Sequence, residues 1–239
     1  KKIALFIGSD ISSQLLLNRL IPAMKQAVYE PVVYLPIHKP SKKIPPQMLQ
    51  DLGFYERRMT NEVIYPLLNE EGIQKGAKNF SPEQLSSFYN IDVHEIENIN
   101  DPEFVQTLAN DPNLKGGVSV RCYQKFGEGI INMFENKGFL WNLHPGILPE
   151  YRGVMTLARA MENEETQTSY SLHIIDKNWD AGSLLDIRPE PLNLHRPMLS
   201  NYCDLAPSGV PMIIENMSHF FAGTLPPELP QDPQKAGYW

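Results

Sequence analysis

Residues Ile3 to Ile7 are apolar without interruption and give way at once to Gly8, Ser9 and Asp10. An unbroken run of this length suits a strand covered on both faces. The polar residues after it open a turn and a helix start, with Ser12 or Ser13 as the cap. Leu15, Leu16, Leu20 and Met24 then recur at the spacing of one helical face. Pro31 to Pro36 reads as a second strand, completing a strand–helix–strand opening of the kind that begins an open parallel sheet.

The following stretch is less regular. Residues 38–46 form a polar, proline-rich loop, Leu49 to Leu68 carry helical periodicity, and Ser81 caps a helix with Pro82 at its first position. Asp92 to Ile96 make a short strand, and Asp101 begins another capped helix. Gly117 to Arg121 is a strand followed by a helix from Glu128 to Phe134, and Phe139 to His144 is a further strand. Thr156 to Met161 is helical, and Ser169 to Ile175 alternate as a strand does. Beyond residue 190 one helix, Pro211 to Phe221, precedes a proline-rich tail. Its apolar residues, among them Met212, Ile213 and Met217, suit packing on the core, a dimer surface or a lid.

The totals narrow the function classes. At 239 residues the chain suits one α/β domain of generous size, or a core with a small appendage. A net charge of −7 argues against a nucleic-acid partner, which needs a concentrated basic surface, but leaves room for a local pocket that takes a small anion. Two isolated cysteines, Cys122 and Cys203, fit free thiols in a reducing compartment. The apolar run near the N-terminus is too short for a signal peptide, and no stretch approaches the roughly 18 apolar residues of a membrane span. A cytoplasmic protein with no membrane partner is the expectation. The histidines do not stand in pairs one helical turn apart beside a carboxylate, so no metal site is expected.

The densest chemical signal runs from Asn142 and His144 through Pro145, Gly146, Pro149, Tyr151 and Arg152 to Gly153. Residues two apart on a strand point the same way, so Asn142 and His144 project together. Pro145 stops the ladder and Gly146 lets the backbone turn, which puts both side chains at the carboxyl end of a strand, where open α/β sheets bind ligands. A second piece follows a strand at Asp180, Ala181 and Gly182. An amide, an imidazole and a carboxylate are what acyl transfer to a nitrogen nucleophile requires. Asn142 can donate to an oxyanion, His144 can carry protons near neutrality, and Asp180 can orient or stabilise the imidazole.

These residues resemble the folate-dependent formyltransferases, a group that includes glycinamide ribonucleotide, methionyl-tRNA and sugar-amine formyltransferases. The resemblance covers roughly residues 1–190 and is strongest from Gly116 to Leu185. It implies a Rossmann-like, open, mostly parallel sheet with helices on both faces, and a short C-terminal extension. It also implies a catalytic domain at 1–190, with a helical insertion at about 37–100, and an extension at 191–239. The implied co-substrate is 10-formyltetrahydrofolate, with no metal, and the implied catalytic residues are Asn142, His144 and Asp180. The strand carrying Val120, Arg121 and Cys122 matches the one that borders the pterin pocket in the family, and these three, with Gly182, are the implied contacts to the formyl donor. The Gly8-Ser9-Asp10 turn lacks the glycine-rich phosphate cradle expected for glycinamide ribonucleotide. The segment after Gly182 is too short for the barrel of the methionyl-tRNA enzymes. The helices from Arg57 onward, together with Gln124 and Lys125, look more like the subgroup that formylates hydroxylamines such as N5-hydroxyornithine in siderophore assembly. A small-molecule amine or hydroxylamine acceptor is the resulting expectation, with a homodimer as an open option.

Other readings stand beside it. The same trio could hydrolyse the formyl donor with water in place of the amine, or the chain could be a folate-binding module without catalysis. His173 is expected to be structural, and Cys122 has no histidine paired with it to act as a nucleophile. Arg152 either binds an anionic group or braces its own loop. Trp141 and Trp179 precede Asn142 and Asp180, so alternation turns both away from the site.

Overall fold

The computed structural model describes residues 1–38 and 44–237. Five parallel strands, β1 (Lys2–Ile7), β2 (Glu30–Pro36), β3 (Asp92–Ile96), β4 (Leu114–Val120) and β5 (Leu140–Pro145), are continued by two antiparallel ones, β6 (Gln167–Ile174) and β7 (Leu184–Pro191). The seven lie in the order β3-β2-β1-β4-β5-β6-β7. The helices are α1 (Ile11–Gln26), α2 (Gln47–Gly53), α3 (Tyr65–Glu71), α4 (Pro82–Tyr89), α5 (Pro102–Asn110), α6 (Glu128–Lys137), α7 (Thr156–Glu162) and α8 (Met198–Ala222).

The central strand shows why the run Ile3–Ile7 has no polar break. Ile3, Leu5 and Ile7 face a layer built from α1 and α8, while Ala4 and Phe6 face one built from α5 and α6, and all five are fully buried. A strand covered on both sides cannot tolerate an alternating polar residue. Phe6 packs edge-on against Phe126 and Phe134 and flat against Tyr34, which ties β2, α6 and the loop before α6 to one residue.

Several local expectations are corrected. The cap of α1 is Asp10, two residues before Ser12 and three before Ser13. Its Oδ1 accepts from the Ser13 backbone N–H and its Oδ2 accepts from the Ser13 hydroxyl, so Ser13 supports the cap instead of being it. The ladder of β5 does not stop before Pro145. Pairing with β4 ends at Leu143, but the antiparallel register with β6 continues through Pro145 opposite Tyr170. Leu49 to Leu68 form one helical path as expected, with a π-helical stretch, Phe54–Ile64, joining α2 to α3. The cap of α4 is a full capping box of Ser81 and Gln84.

The C-terminal helix is much longer than Pro211–Phe221. It starts at Met198 and carries Pro207 and Pro211 within it. Tertiary packing holds it together: Tyr202, Leu205, Ala206, Met212, Ile213 and Met217 all lie in the same core cluster as α1 and the sheet. Full burial of a side chain of this kind contributes about 1.5–3 kcal/mol, so several of them outweigh the helix-breaking cost of a proline, about 3 kcal/mol. Gly209 marks the closest approach, since a Cβ there would stand 2.7 Å from Leu143 Cδ2 and from Leu16 Cδ1. Among the described residues no helix is long and apolar enough to cross a membrane. Residues 39–43 of the proline-rich loop, and Tyr238 and Trp239, lie outside the described residues.

Candidate active site

Beside the later residues of β4 and the middle of β5 lie the last residues of β6 and the loop that follows them. Asn142 and His144 share a face of β5, and the antiparallel register sets Asn142 opposite His173 and His144 opposite Ser171. Directly opposed residues of an antiparallel pair project to the same side, so His173 joins the other two. Asp180 reaches them from the loop after β6, in a left-handed backbone conformation with φ 48°. Asp180 Oδ1 lies 3.5 Å from His144 Nδ1, 3.6 Å from His173 Nε2 and 3.5 Å from Asn142 Nδ2. Its other oxygen accepts the Gly153 backbone N–H at 2.9 Å. Gln231 clamps the loop from behind, donating to the carbonyls of Asp180 at 3.0 Å and Gly182 at 2.7 Å.

Two carbonyls orient the imidazoles. A carbonyl only accepts, so His144 Nε2 donates to the Tyr151 carbonyl at 2.7 Å, and His173 Nδ1 donates to the Ile174 carbonyl at 2.8 Å. His173 Nε2 is then an acceptor, and it takes one hydrogen of the Asn142 amide at 3.1 Å. The second amide hydrogen has only the long contact to Asp180 and is the one available to a ligand. In neutral His144 the remaining lone pair is on Nδ1, facing Asp180.

Burial governs the charges. It pushes the His144 imidazole below its ordinary value, and the attraction of Asp180 does not make up the difference. Burial also pushes the Asp180 carboxyl up, but His144, the contact from His173 and the Gly153 N–H together prevail and hold it at about 2. The resting site is therefore an ionised carboxylate beside a neutral imidazole.

These groups form the floor of a cavity of about 510 Å³. Asn142, His144, Asp180, Arg121 and Cys122 all line it, as do His173 and Trp179. Val120 does not: its side chain is fully buried in the core on the α1 and α8 side. Gly182 does not line it either. A Cβ there would meet the Ile174 carbonyl oxygen at 1.9 Å, so the glycine lets the Asp180 loop cross the end of β6. Burial pushes the Cys122 thiol up to about 12, far from the range of a thiolate nucleophile.

Arg121 is buried at the cavity's edge with φ 49°, paired with Asp10 at 3.2 Å and with Glu56 of the π-helical stretch. It lies 4.4 Å from the centre of the Tyr202 ring and donates to the Tyr123 hydroxyl at 2.6 Å. This network fastens the 47–71 helices to the sheet. Arg152 makes two hydrogen bonds to Gln231 Oε1, at 3.0 Å and 2.7 Å, which braces its loop against the C-terminal tail. A second cavity, about 1050 Å³, opens beyond Tyr123 at the ends of β2 and β3, with Arg57, Arg58, Glu62, Glu83 and Glu95 among its walls.

His173 and Trp179 line the cavity, contrary to the expectation of a structural His173 and a Trp179 turned away. The signal for His173 was its place opposite Asn142, which needs the pairing of β5 with β6 to be known. Trp179 was assigned by strand alternation, but β6 ends at Ile174 and alternation no longer applies. Trp141, still inside β5, does turn into the core, where it stacks on Phe139 at 4.0 Å.

Comparison with known proteins follows the same residues. Residues 70–189 match the model of the formyl transferase family, half of the chain and all of the floor just described. A methionyl-tRNA formyltransferase of Halothermothrix orenii is 27% identical over 65% of this chain and 48% of its own length. A GDP-perosamine N-formyltransferase of Brucella melitensis is 36% identical over 36% of this chain and 32% of its own length. Each of these matches thus spans less than half of the relative. Among solved structures, the N-formyltransferase of Helicobacter canadensis in complex with folinic acid and dTDP-3-aminofucose has the same fold. It covers all of this chain and 70% of its own, with a TM-score of 0.61 and 15% identity. With the family model extending from α3 through β7 and the fold shared over the whole chain, this protein belongs to the formyl transferase family.

Proposed function

We propose that this chain transfers a formyl group from 10-formyltetrahydrofolate to the amine or hydroxylamine nitrogen of a small-molecule acceptor. The observation that carries the reading is the convergence of Asn142 Nδ2 and His144 Nδ1 on Asp180 Oδ1, each at 3.5 Å, on the floor of a cavity. That cavity suits the folate. Phe126, Ile175, Val154 and Trp179 supply apolar wall for a flat ring system, and the polar groups are gathered at one end.

Each group has a defined part. The acceptor nitrogen attacks the formyl carbon, and the formyl oxygen takes the electron pair of its double bond. The uncommitted Asn142 N–H donates to that oxygen. His144 Nδ1 takes the proton from the attacking nitrogen, and the imidazolium so formed is stabilised by Asp180 on one side and by the Tyr151 carbonyl on the other. When the bond to N10 of the folate breaks, the same proton goes to N10. Water excluded by the bound substrates would otherwise compete for the formyl group, so closure of the cavity favours transfer over hydrolysis.

The acceptor side favours a small molecule bearing both charges, as N5-hydroxyornithine does. The N-terminus of α1 is filled by Asp10, itself paired with Arg121, where a phosphate would otherwise bind. The second cavity offers Arg57 and Arg58 for a carboxylate and Glu62, Glu83 and Glu95 for an ammonium group. In this reading residues 1–190 are the catalytic domain with its helical insertion at about 37–100, and 191–239 are an extension that contributes α8. Two free thiols, Cys122 and Cys203, suit a cytoplasmic setting.

The test is to incubate the protein with 10-formyltetrahydrofolate and a panel of amines and hydroxylamines, and to follow tetrahydrofolate release by absorbance. Release that depends on an acceptor is expected. Release at the same rate without any acceptor would make the protein a hydrolase, and tight folate binding without release would make it a binding module.

A further inference from the structure

Trp179 is half exposed, at 50%, although it lines a cavity whose other walls are largely apolar. The backbone that carries it is held at the next residue, which is clamped through its carboxylate by the Gly153 N–H and through its carbonyl by Gln231. Trp141 stacks on Phe139, but among the described residues no ring stacks on Trp179. Tyr123, on the loop after β4, is a second half-exposed ring of the same cavity, at 45%. A half-exposed indole with no described ring stacked on it, adjacent in the chain to Asp180 and lining the same cavity, is suited to a flat ligand.

We propose that Trp179 is the aromatic platform for the ring of the folate attached at N10, and so sets affinity for the formyl donor. This rests on the formyl-transfer reading above. If the formyl carbon is at Asn142 and His144, the aryl ring bonded to N10 is only a few atoms away, at the depth of residues 179 and 180. Stacking covers exposed indole surface and removes apolar area from water on both partners. The trio sets the chemistry and Trp179 sets how well the folate is held.

The test is isothermal titration calorimetry with 5-formyltetrahydrofolate, which carries its formyl group on the wrong nitrogen for transfer, so binding is read without turnover. Trp179→Ala should weaken binding about tenfold, and Trp179→Phe, which keeps a ring, should stay within about threefold of wild type. Circular dichroism reports whether either variant is misfolded, and Trp179→Phe carries the comparison if the alanine variant is. In the fluorescence titration, the part of the emission that folate quenches in wild type should be missing from Trp179→Phe. Wild-type binding with Trp179→Ala equally tight would overturn the platform and leave formyl transfer standing. No binding by wild type would overturn both.

Discussion

His173 Nε2 accepts a hydrogen from Asn142 Nδ2 at 3.1 Å, and this contact decides which way the Asn142 amide faces. The Ile174 carbonyl fixes the tautomer of His173, which in turn fixes the amide, so the N–H that the proposed mechanism assigns to the formyl oxygen is oriented by the protein itself.

His173→Ala releases that amide to rotate. The expected result is a fall in kcat of about tenfold to a hundredfold, smaller than the roughly 10²–10³ for losing a hydrogen-bond donor to an oxyanion altogether. KM for the formyl donor should change little. Steady-state kinetics separates the two, and an unchanged kcat would mean that Asn142 is oriented by something else.

The pH dependence follows from a lowered imidazole and a lowered carboxyl. The proposed mechanism needs neutral His144, so kcat/KM should fall on the acid side with a midpoint below about 6.5, the ordinary imidazole value. Asp180 attracts the protonated imidazole. Asp180→Asn therefore lowers the His144 value further and should move the acid limb to still lower pH, with a reduced plateau. A shift toward alkaline pH would reverse the sign of this interaction.

The same groups affect stability. His144 is less basic folded than unfolded, so the unfolded state binds the extra proton, and stability should decline as pH falls below about 6.5. Asp180 is more acidic folded, about 2, than unfolded, about 3.9. Its stabilising contribution is complete above the unfolded value and is lost as pH falls toward about 2. Urea midpoints measured from pH 7 to pH 3 test both, and midpoints that rise on acidification would contradict them.

Arg121 is the counter-charge for two buried carboxylates, Asp10 and Glu56. Arg121→Met leaves both without it and should destabilise the fold by about 3–5 kcal/mol, as breaking a buried ion pair does. Burial already raises the Glu56 carboxyl above its ordinary value even with Arg121 beside it, so Glu56→Gln should cost much less. Equal losses in chemical denaturation would show that the pair does not fasten the 47–71 helices in this way.

Gly182→Ala tests the loop that delivers Asp180. Its new methyl group would be driven into the backbone of Ile174, which cannot move without disturbing β6. Displacing a reacting group by about 1 Å can cost about a hundredfold, so activity should fall by that order while the circular dichroism spectrum stays native.

How far the sequence reveals this depends on whether a signal is local. The unbroken Ile3–Ile7 run, the Ser81 cap with Pro82 after it and the Asn142–Gly153 motif each carry their signal in adjacent residues, and each is read directly. β7 escapes because its alternation is interrupted by Pro189 and Pro191 and its inner face packs partly on α8. The first half of α8 escapes because Pro207 speaks against a helix that only packing on α1 and the sheet sustains. His173 is invisible as a site residue for a similar reason, since its role depends on which strand lies beside it. Asp10 is legible as a cap in hindsight, but its pairing with Arg121 joins residues far apart in the chain.

The most direct measurement is the initial rate of acceptor formylation, read by mass spectrometry with a carbon-13-labelled formyl donor, for wild type and for Asn142→Ala, His144→Ala and Asp180→Ala. Wild type should move the labelled carbon onto the acceptor nitrogen. Each variant should fall by about two orders of magnitude or more with its fold intact. Label arriving at an undiminished rate in the His144 or Asp180 variant would contradict the mechanism at its centre.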